Sequence, residues 1–249
     1  MTGEARATAI GGAAVLMWGA LALLTTWSGA VPPFQLVAMA FSIAFIGTAA
    51  SWVVRGADPR RFLRHPPAVW LIGIGGLFGY HFFYFMALRN APPVEAGLIA
   101  YLWPLLIVVF SALLPGERLT WRHVVGALAG LGGTGLLVTG GGAMNFQSAH
   151  TLGYVAAGAC AITWSGYSIL SRRFGSVPTD TVGWFCGAAA VLWTLCHLIF
   201  ESTVWPGGAG EWLAILGLGL GPVGAAFFTW DIGVKHGDIK LLGVLSYAA

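Results

Sequence analysis

Residues 89–104 read RNAPPVEAGLIAYLWP, and residues 235–249 read KHGDIKLLGVLSYAA. The two align without gaps at an offset of 146, which sets Arg89 on Lys235, Gly97 on Gly243 and Tyr101 on Tyr247. Ala249 falls on Trp103, one step before Pro104. The same offset sets Gly12 on Gly158, Ala13 on Ala159 and Trp18 on Trp164. The turn after these also matches, with Gly29, Val31 and Pro32 falling on Gly175, Val177 and Pro178. Trp70 meets Trp212 at an offset of 142, so the spacing shifts by four residues there. Tryptophans and prolines at one spacing mark an internal repeat rather than a coincidence of Gly- and Ala-rich sequence.

What repeats is a set of membrane spans. The composition is 57% hydrophobic and only 8% charged, which excludes an ordinary soluble domain of 249 residues. Apolar runs recur at about 20 residues, enough to cross about 30 Å of hydrocarbon as helix. They lack the alternation of barrel strands. The expected spans are 7–27, 34–54, 67–88, 94–114, 124–139, 152–170, 181–200 and 211–234, with a ninth from 239. Gly140, Gly141 and Gly142 close span 5. Cys160, Cys186 and Cys196 sit inside apolar runs without CxxC spacing and read as packing residues. The first apolar run is too long for a cleavable signal peptide.

Alternating sides from a cytoplasmic N-terminus puts Arg6, Arg55, Arg60, Arg61, Arg64, Arg118, Arg122, Arg172, Arg173, Lys235 and Lys240 inside. Only Arg89 falls outside, a strong positive-inside bias. Glu117, Arg118, Arg122 and His123 mark the turn after span 4. Each repeat unit holds five spans, and an odd number inverts the second copy in the bilayer. That is the signature of secondary transporters, which bind substrate near mid-membrane between the repeats. The expected fold is an all-α polytopic membrane protein, a ten-span transporter of two inverted five-helix repeats. Residues 1–146 form the first and 147–249 the second, cut within span 9. By symmetry the natural protein would continue through a proline at the next position and a tenth span, about 40 residues more.

The chain resembles the drug/metabolite transporter superfamily in its ten-span, EamA-like branch. The resemblance rests on MALRNAPPVEAGLIAYLWPLL at 86–106, GERLTWRHVVGALAGLGGTGLL at 116–137 and the tryptophan of the first span in each half. Tyr80-His81, Tyr84 and Tyr101-x-Trp103 point within it to the amino-acid exporters associated with aromatic substrates. The resemblance implies a bacterial inner-membrane exporter with cytoplasmic termini and a cavity lined by spans 1, 3, 4, 6, 8 and 9.

The residues support that expectation independently. Tyr80 and Tyr84 share one face of span 3 beside His81, past its centre, where an interfacial aromatic belt is a poor explanation. His81 is the one mid-span histidine. It can hold a hydrogen bond as a neutral ring or take a proton. Tyr101, Trp103 and Pro104 sit mid-span in span 4. Proline there kinks the helix and frees a carbonyl near Ala100. Ser246 and Tyr247 supply the matching position in the second half. Trp18, Trp164 and Trp230 complete an aromatic set suited to stacking and to an amino cation. Asp231 has Lys235 one turn on and reads as an ion pair before a substrate site. Glu95, and His197 with Glu201, fall near the outer helix ends. Glycines such as Gly126, Gly130, Gly217 and Gly219 form small packing faces, and Gly221-Pro222 a bend.

Phosphate loops, nucleophile elbows, metal-ligand spacings and basic nucleic-acid surfaces are absent from the sequence. The expected function is export of aromatic or broadly neutral amino acids by alternating access, the lipid bilayer and small solutes being the partners. No enzyme, cofactor or metal is expected, and a monomer suffices because two repeats carry their own pathway. An organophosphate exchanger would need mid-span cations, and a four-span-type drug extruder a glutamate in span 1. Neither is present. Export of other small metabolites stays open. A membrane enzyme or structural subunit leaves the inverted repeat unexplained.

Overall fold

The structure, a computed structural model, describes residues 2–116, 119–142 and 146–249. Glu117 and Arg118, expected in the turn after span 4, lie outside the described residues. The described residues are all-helical. Span 1 is α1 (Gly3–Gly19) and α2 (Leu21–Trp27), and span 2 is α3 (Pro33–Val54). Span 3 is α4 (Pro67–Asn90), and span 4 divides into α5 (Pro93–Ala100) and α6 (Trp103–Phe110). Then come α7 (Trp121–Thr139), α8 (Thr151–Arg173) and α9 (Thr181–Phe200). Span 8 comprises α10 (Ala209–Leu220), a π-helical segment (Gly221–Ala225) and α11 (Ala226–His236). Span 9 begins as α12 (Ile239–Leu245).

Prolines place the starts and the breaks. Pro33, Pro67 and Pro93 open α3, α4 and α5, where the missing N–H costs nothing. Pro104 and Pro222 stand inside spans. Each removes a ladder donor, so span 4 breaks at Tyr101-Leu102 and span 8 widens into the π segment.

Six helical segments are long and apolar enough to cross a membrane: Gly3–Trp27, Pro33–Val54, Pro67–Asn90, Pro93–Leu113, Thr181–Phe200 and Ala209–His236. The helices α7 and α8, of 19 and 23 residues, have the length. Arg122, His123 and several glycines dilute α7. Ser165, Ser168 and Ser171 dilute α8, and those serines face inward. Leu16, Val54 and Leu137 are among the most exposed side chains, the arrangement a hydrocarbon solvent favours.

Three helix pairings hold the bundle: α1 with α11, α3 with α9, and α4 with α8. Exchanging spans 1, 2 and 3 with 6, 7 and 8 maps this set onto itself. The contacts agree in detail. A Cβ on Gly233 would lie 2.6 Å from the Gly11 Cα, so α11 crosses α1 backbone to backbone. At the 146 offset these two become Ala87 and Ala157, members of one buried alanine cluster between α4 and α8. Small residues bring helices close enough for dispersion to replace the missing hydrophobic drive within lipid.

The pair α3 and α9 is tied at both ends. Glu201, at the end of α9, accepts the Phe34 and Gln35 N–H groups at the start of α3, both at 3.0 Å. A carboxylate there satisfies orphan donors and the positive end of the helix dipole. His197 Nδ1 lies 3.0 Å from the same carboxylate. At the opposite end Arg55, the C-cap of α3, pairs with Asp180, the N-cap of α9. Trp52 Nε1 donates to Asp180 at 2.8 Å. That end also holds Arg173, which donates to the Leu113 carbonyl, and Lys235, which donates to the Val177 carbonyl.

Two outcomes follow. Gly11→Val or Gly233→Val should overpack the crossing and cost about 1–3 kcal/mol. Gly12→Ala meets open space and should be neutral or stabilising. Thermal melting in detergent separates these cases. For Asp180, burial opposes ionisation. Hydrogen bonds from Arg55 and Trp52, with the Arg55 and Arg61 charges, overcome it and hold the carboxyl below its ordinary value. The resulting stabilisation is complete above the unfolded carboxylate range and is lost as pH falls through the lower folded value. Asp180→Asn should therefore lower the melting temperature at pH 7, and the gap to the unsubstituted protein should close on acidification.

Candidate substrate cavity

The three pairings leave a space among spans 1, 3, 4, 6, 8 and 9, a cavity of about 430 Å³ to which span 9 contributes Ala249. Span 1 supplies Trp18 with Leu21 and Ala22. Span 3 supplies Tyr80, His81 and Tyr84, and span 4 supplies Tyr101 and Trp103. Trp164 comes from span 6, and Pro222, Val223 and Phe227 from span 8. Its lining carries no Lys, Arg, Asp or Glu among the described residues. On span 1 the lining residues all follow Gly11 and on span 8 they all precede Gly233, so on these two spans they fall on the side of the crossing away from Lys235.

The wall is a packed aromatic set. Trp18 meets Trp164 at 5.6 Å and Trp103 at 6.1 Å, edge to face. Tyr80 stacks on Tyr84 with ring planes 5° apart and leans on Trp164 at 5.3 Å. Such contacts fix ring orientation and leave π faces for a guest. His81 Nδ1 lies 2.8 Å from the Leu77 carbonyl. A carbonyl only accepts, so Nδ1 carries the hydrogen and Nε2 is left as an acceptor.

At both proline breaks an aromatic side chain from another span bonds to the backbone. Trp18 Nε1 donates to the Pro222 carbonyl at 3.0 Å, tying span 1 to the π segment. The Leu105 N–H donates to the Tyr247 hydroxyl at 3.1 Å, tying span 4 to span 9. Tyr101 Oη donates to the Ala249 carbonyl at 2.9 Å, the reverse contact between the same two spans.

Seven of the ten aromatic and polar candidates read from the sequence line the cavity: Trp18, Tyr80, His81, Tyr84, Tyr101, Trp103 and Trp164. Trp230, Ser246 and Tyr247 stand behind it. Trp230 is fully buried, donates to Ser168 Oγ at 3.0 Å and packs on Trp18 at 5.1 Å. Ser246 bonds back to the Leu242 carbonyl at 2.7 Å. Pro104 is buried at the span 4 break. Pro222, Val223 and Phe227 were missed as lining residues; the Gly221-Pro222 bend was the only signal for them. Asp231 pairs with Lys235 at 2.8 Å and accepts from Thr179 at 2.7 Å, as expected of an ion pair. Glu95 accepts from the Tyr154 hydroxyl at the start of α5.

Comparison with known proteins places this geometry. The pattern of the EamA-like transporter family matches residues 8–139. The aromatic amino acid exporter YddG of Ancylobacter novellus is 59% identical over 98% of this chain and 84% of its own length. The aromatic amino acid exporter YddG of Salmonella typhimurium is 26% identical over 97% of this chain and 84% of its own. A solved crystal structure, 58% identical, superposes with a TM-score of 0.93 over 98% of this chain and 84% of that one. On these matches, the chain belongs to the EamA-like transporter family.

Proposed function

We propose that this protein exports aromatic and other neutral amino acids across the bacterial inner membrane by alternating access. The observation that carries the reading is the cavity: an uncharged aromatic wall of a size to hold one amino acid. Its likeness to proteins named aromatic amino acid exporters supports the same substrate class.

The two halves, 1–146 and 147–249, act as inverted repeats that rock about the cavity, and spans 4 and 9 bend beside it. The self-mapping helix pairs and the matched crossings support that division. The N-terminus is cytoplasmic, supported by the arginine and lysine bias. The arginine-rich end then faces the cytoplasm, and the cavity lies in the periplasmic half. The ten-span count follows from the repeat. The protein acts as a monomer, a reading supported by a lining drawn from several spans of one chain.

Purified protein in liposomes should exchange labelled phenylalanine, with tyrosine and tryptophan competing. Failure of every amino acid to exchange, in a folded sample, sinks the reading. Tyr84→Ala removes one ring of the stacked pair and should cut exchange about tenfold, the loss of about 1.4 kcal/mol of binding. Transport per folded molecule, read beside the melting temperature, distinguishes this from loss of packing.

A further inference from the structure

The cavity poses an electrostatic problem that its side chains leave unanswered. A free amino acid is a zwitterion, and an ammonium group in a low-dielectric site needs acceptors. The wall offers no carboxylate. Tyrosine hydroxyls and rings attract a cation weakly on their own.

The backbone of span 4 supplies what the side chains lack. In an unbroken helix the Ala100 carbonyl would accept from residue 104, and the Tyr101 carbonyl from residue 105. Residue 104 is proline and has no N–H. The Leu105 N–H is turned to the Tyr247 hydroxyl instead. Among the described residues no hydrogen bond reaches the Tyr101 carbonyl. Helical bonding resumes one residue later, where the Leu106 N–H donates to the Leu102 carbonyl at 2.9 Å.

An unpaired carbonyl in the middle of a span is expensive. Its cost is of the order of 1–3 kcal/mol, and nearly every buried backbone group in a protein is paired. Within hydrocarbon such a break persists only where it borders protein or a wet cavity. This break borders the cavity: Tyr101 lines it, and so does Trp103 two residues on. The Tyr101 carbonyl oxygen is a partial negative charge with open lone pairs, in a segment that carries two aromatic rings.

We propose that the Tyr101 carbonyl oxygen receives the substrate's ammonium group, with the Tyr101 and Trp103 rings beside it. The site thereby selects molecules that carry a free α-amino group. Tyr247, outside the cavity wall, is a positioning residue: by holding the Leu105 N–H it keeps the Tyr101 carbonyl open. This inference rests on the amino-acid reading above and assigns the part of the cavity that recognises the amino group.

The test compares two ligands that differ only there, phenylalanine and 3-phenylpropanoate, by quenching of the protein's tryptophan fluorescence. Two variants restore a donor to the break. Pro104→Ala removes the ring that breaks the helix and lets the ladder close onto the Tyr101 carbonyl, and Tyr247→Phe releases the Leu105 N–H to the same carbonyl. The unsubstituted protein should bind phenylalanine at least about tenfold more tightly than 3-phenylpropanoate, the worth of a charge-assisted hydrogen bond. In both variants the ratio should fall toward one while 3-phenylpropanoate affinity holds. If Pro104→Ala fails to fold, Tyr247→Phe decides alone. A ratio unchanged in the folded variants overturns the proposal, as does an unsubstituted protein without preference between the ligands; both leave the aromatic cavity standing. Binding of neither ligand overturns the amino-acid reading itself.

Discussion

A polypeptide in hydrocarbon must satisfy its own backbone, because no water is there to do so. Every feature of this protein bends around that constraint. Ordinary helix satisfies it residue by residue, and most of the chain is ordinary helix. The departures come at Pro104 and Pro222, and at each an aromatic side chain from another span supplies a polar tip. Trp18 meets the carbonyl of Pro222, and Tyr247 meets the N–H of Leu105. The same residue types that give the cavity its apolar faces thus also bond to the interrupted backbone around it. Aromatic residues with a polar end suit this double task, since indole and phenol present ring faces and a donor or acceptor at once.

The helix pairs around the cavity have a matching logic. Spans 1 and 8 meet through glycines, spans 3 and 6 through alanines, and spans 2 and 7 through reciprocal caps. The caps are chemically unequal. Glu201 binds backbone N–H groups, whereas Asp180 binds a guanidinium and an indole. Residues that coincide under the repeat, such as Arg55 and Glu201, therefore fulfil the same role with opposite charge.

Much of this was legible in the sequence, and what was not has a common cause. Span existence, the kink at Pro104, the Asp231–Lys235 pair and the aromatic clustering all follow from local rules. Composition gives the first, ring geometry of proline the second, and helical spacing the third. Cavity membership is a different kind of fact. Trp230 and Tyr84 coincide under the repeat, yet one is fully buried and the other lines the space. The π segment advances the register of span 8 and brings Phe227 to the wall, a shift that no spacing rule registers. Glu201 capping α3 and Arg55 reaching Asp180 join residues more than a hundred positions apart. Only the folded arrangement of the spans puts those partners within reach.

The crossing at Gly11 and Gly233 has a mechanical meaning. Interlocked side chains act as teeth, and helices so meshed must disengage before they can turn. Where two backbones touch at glycine there are no teeth. The contact is smooth, like a bearing, and one helix rolls on the other with little to unmesh. Away from it, large rings such as Trp193 and Phe41 fill the interface and resist rolling. A contact of this kind, within one turn of the Lys235 end of span 8, offers a pivot of small radius to any turning of one helix on the other.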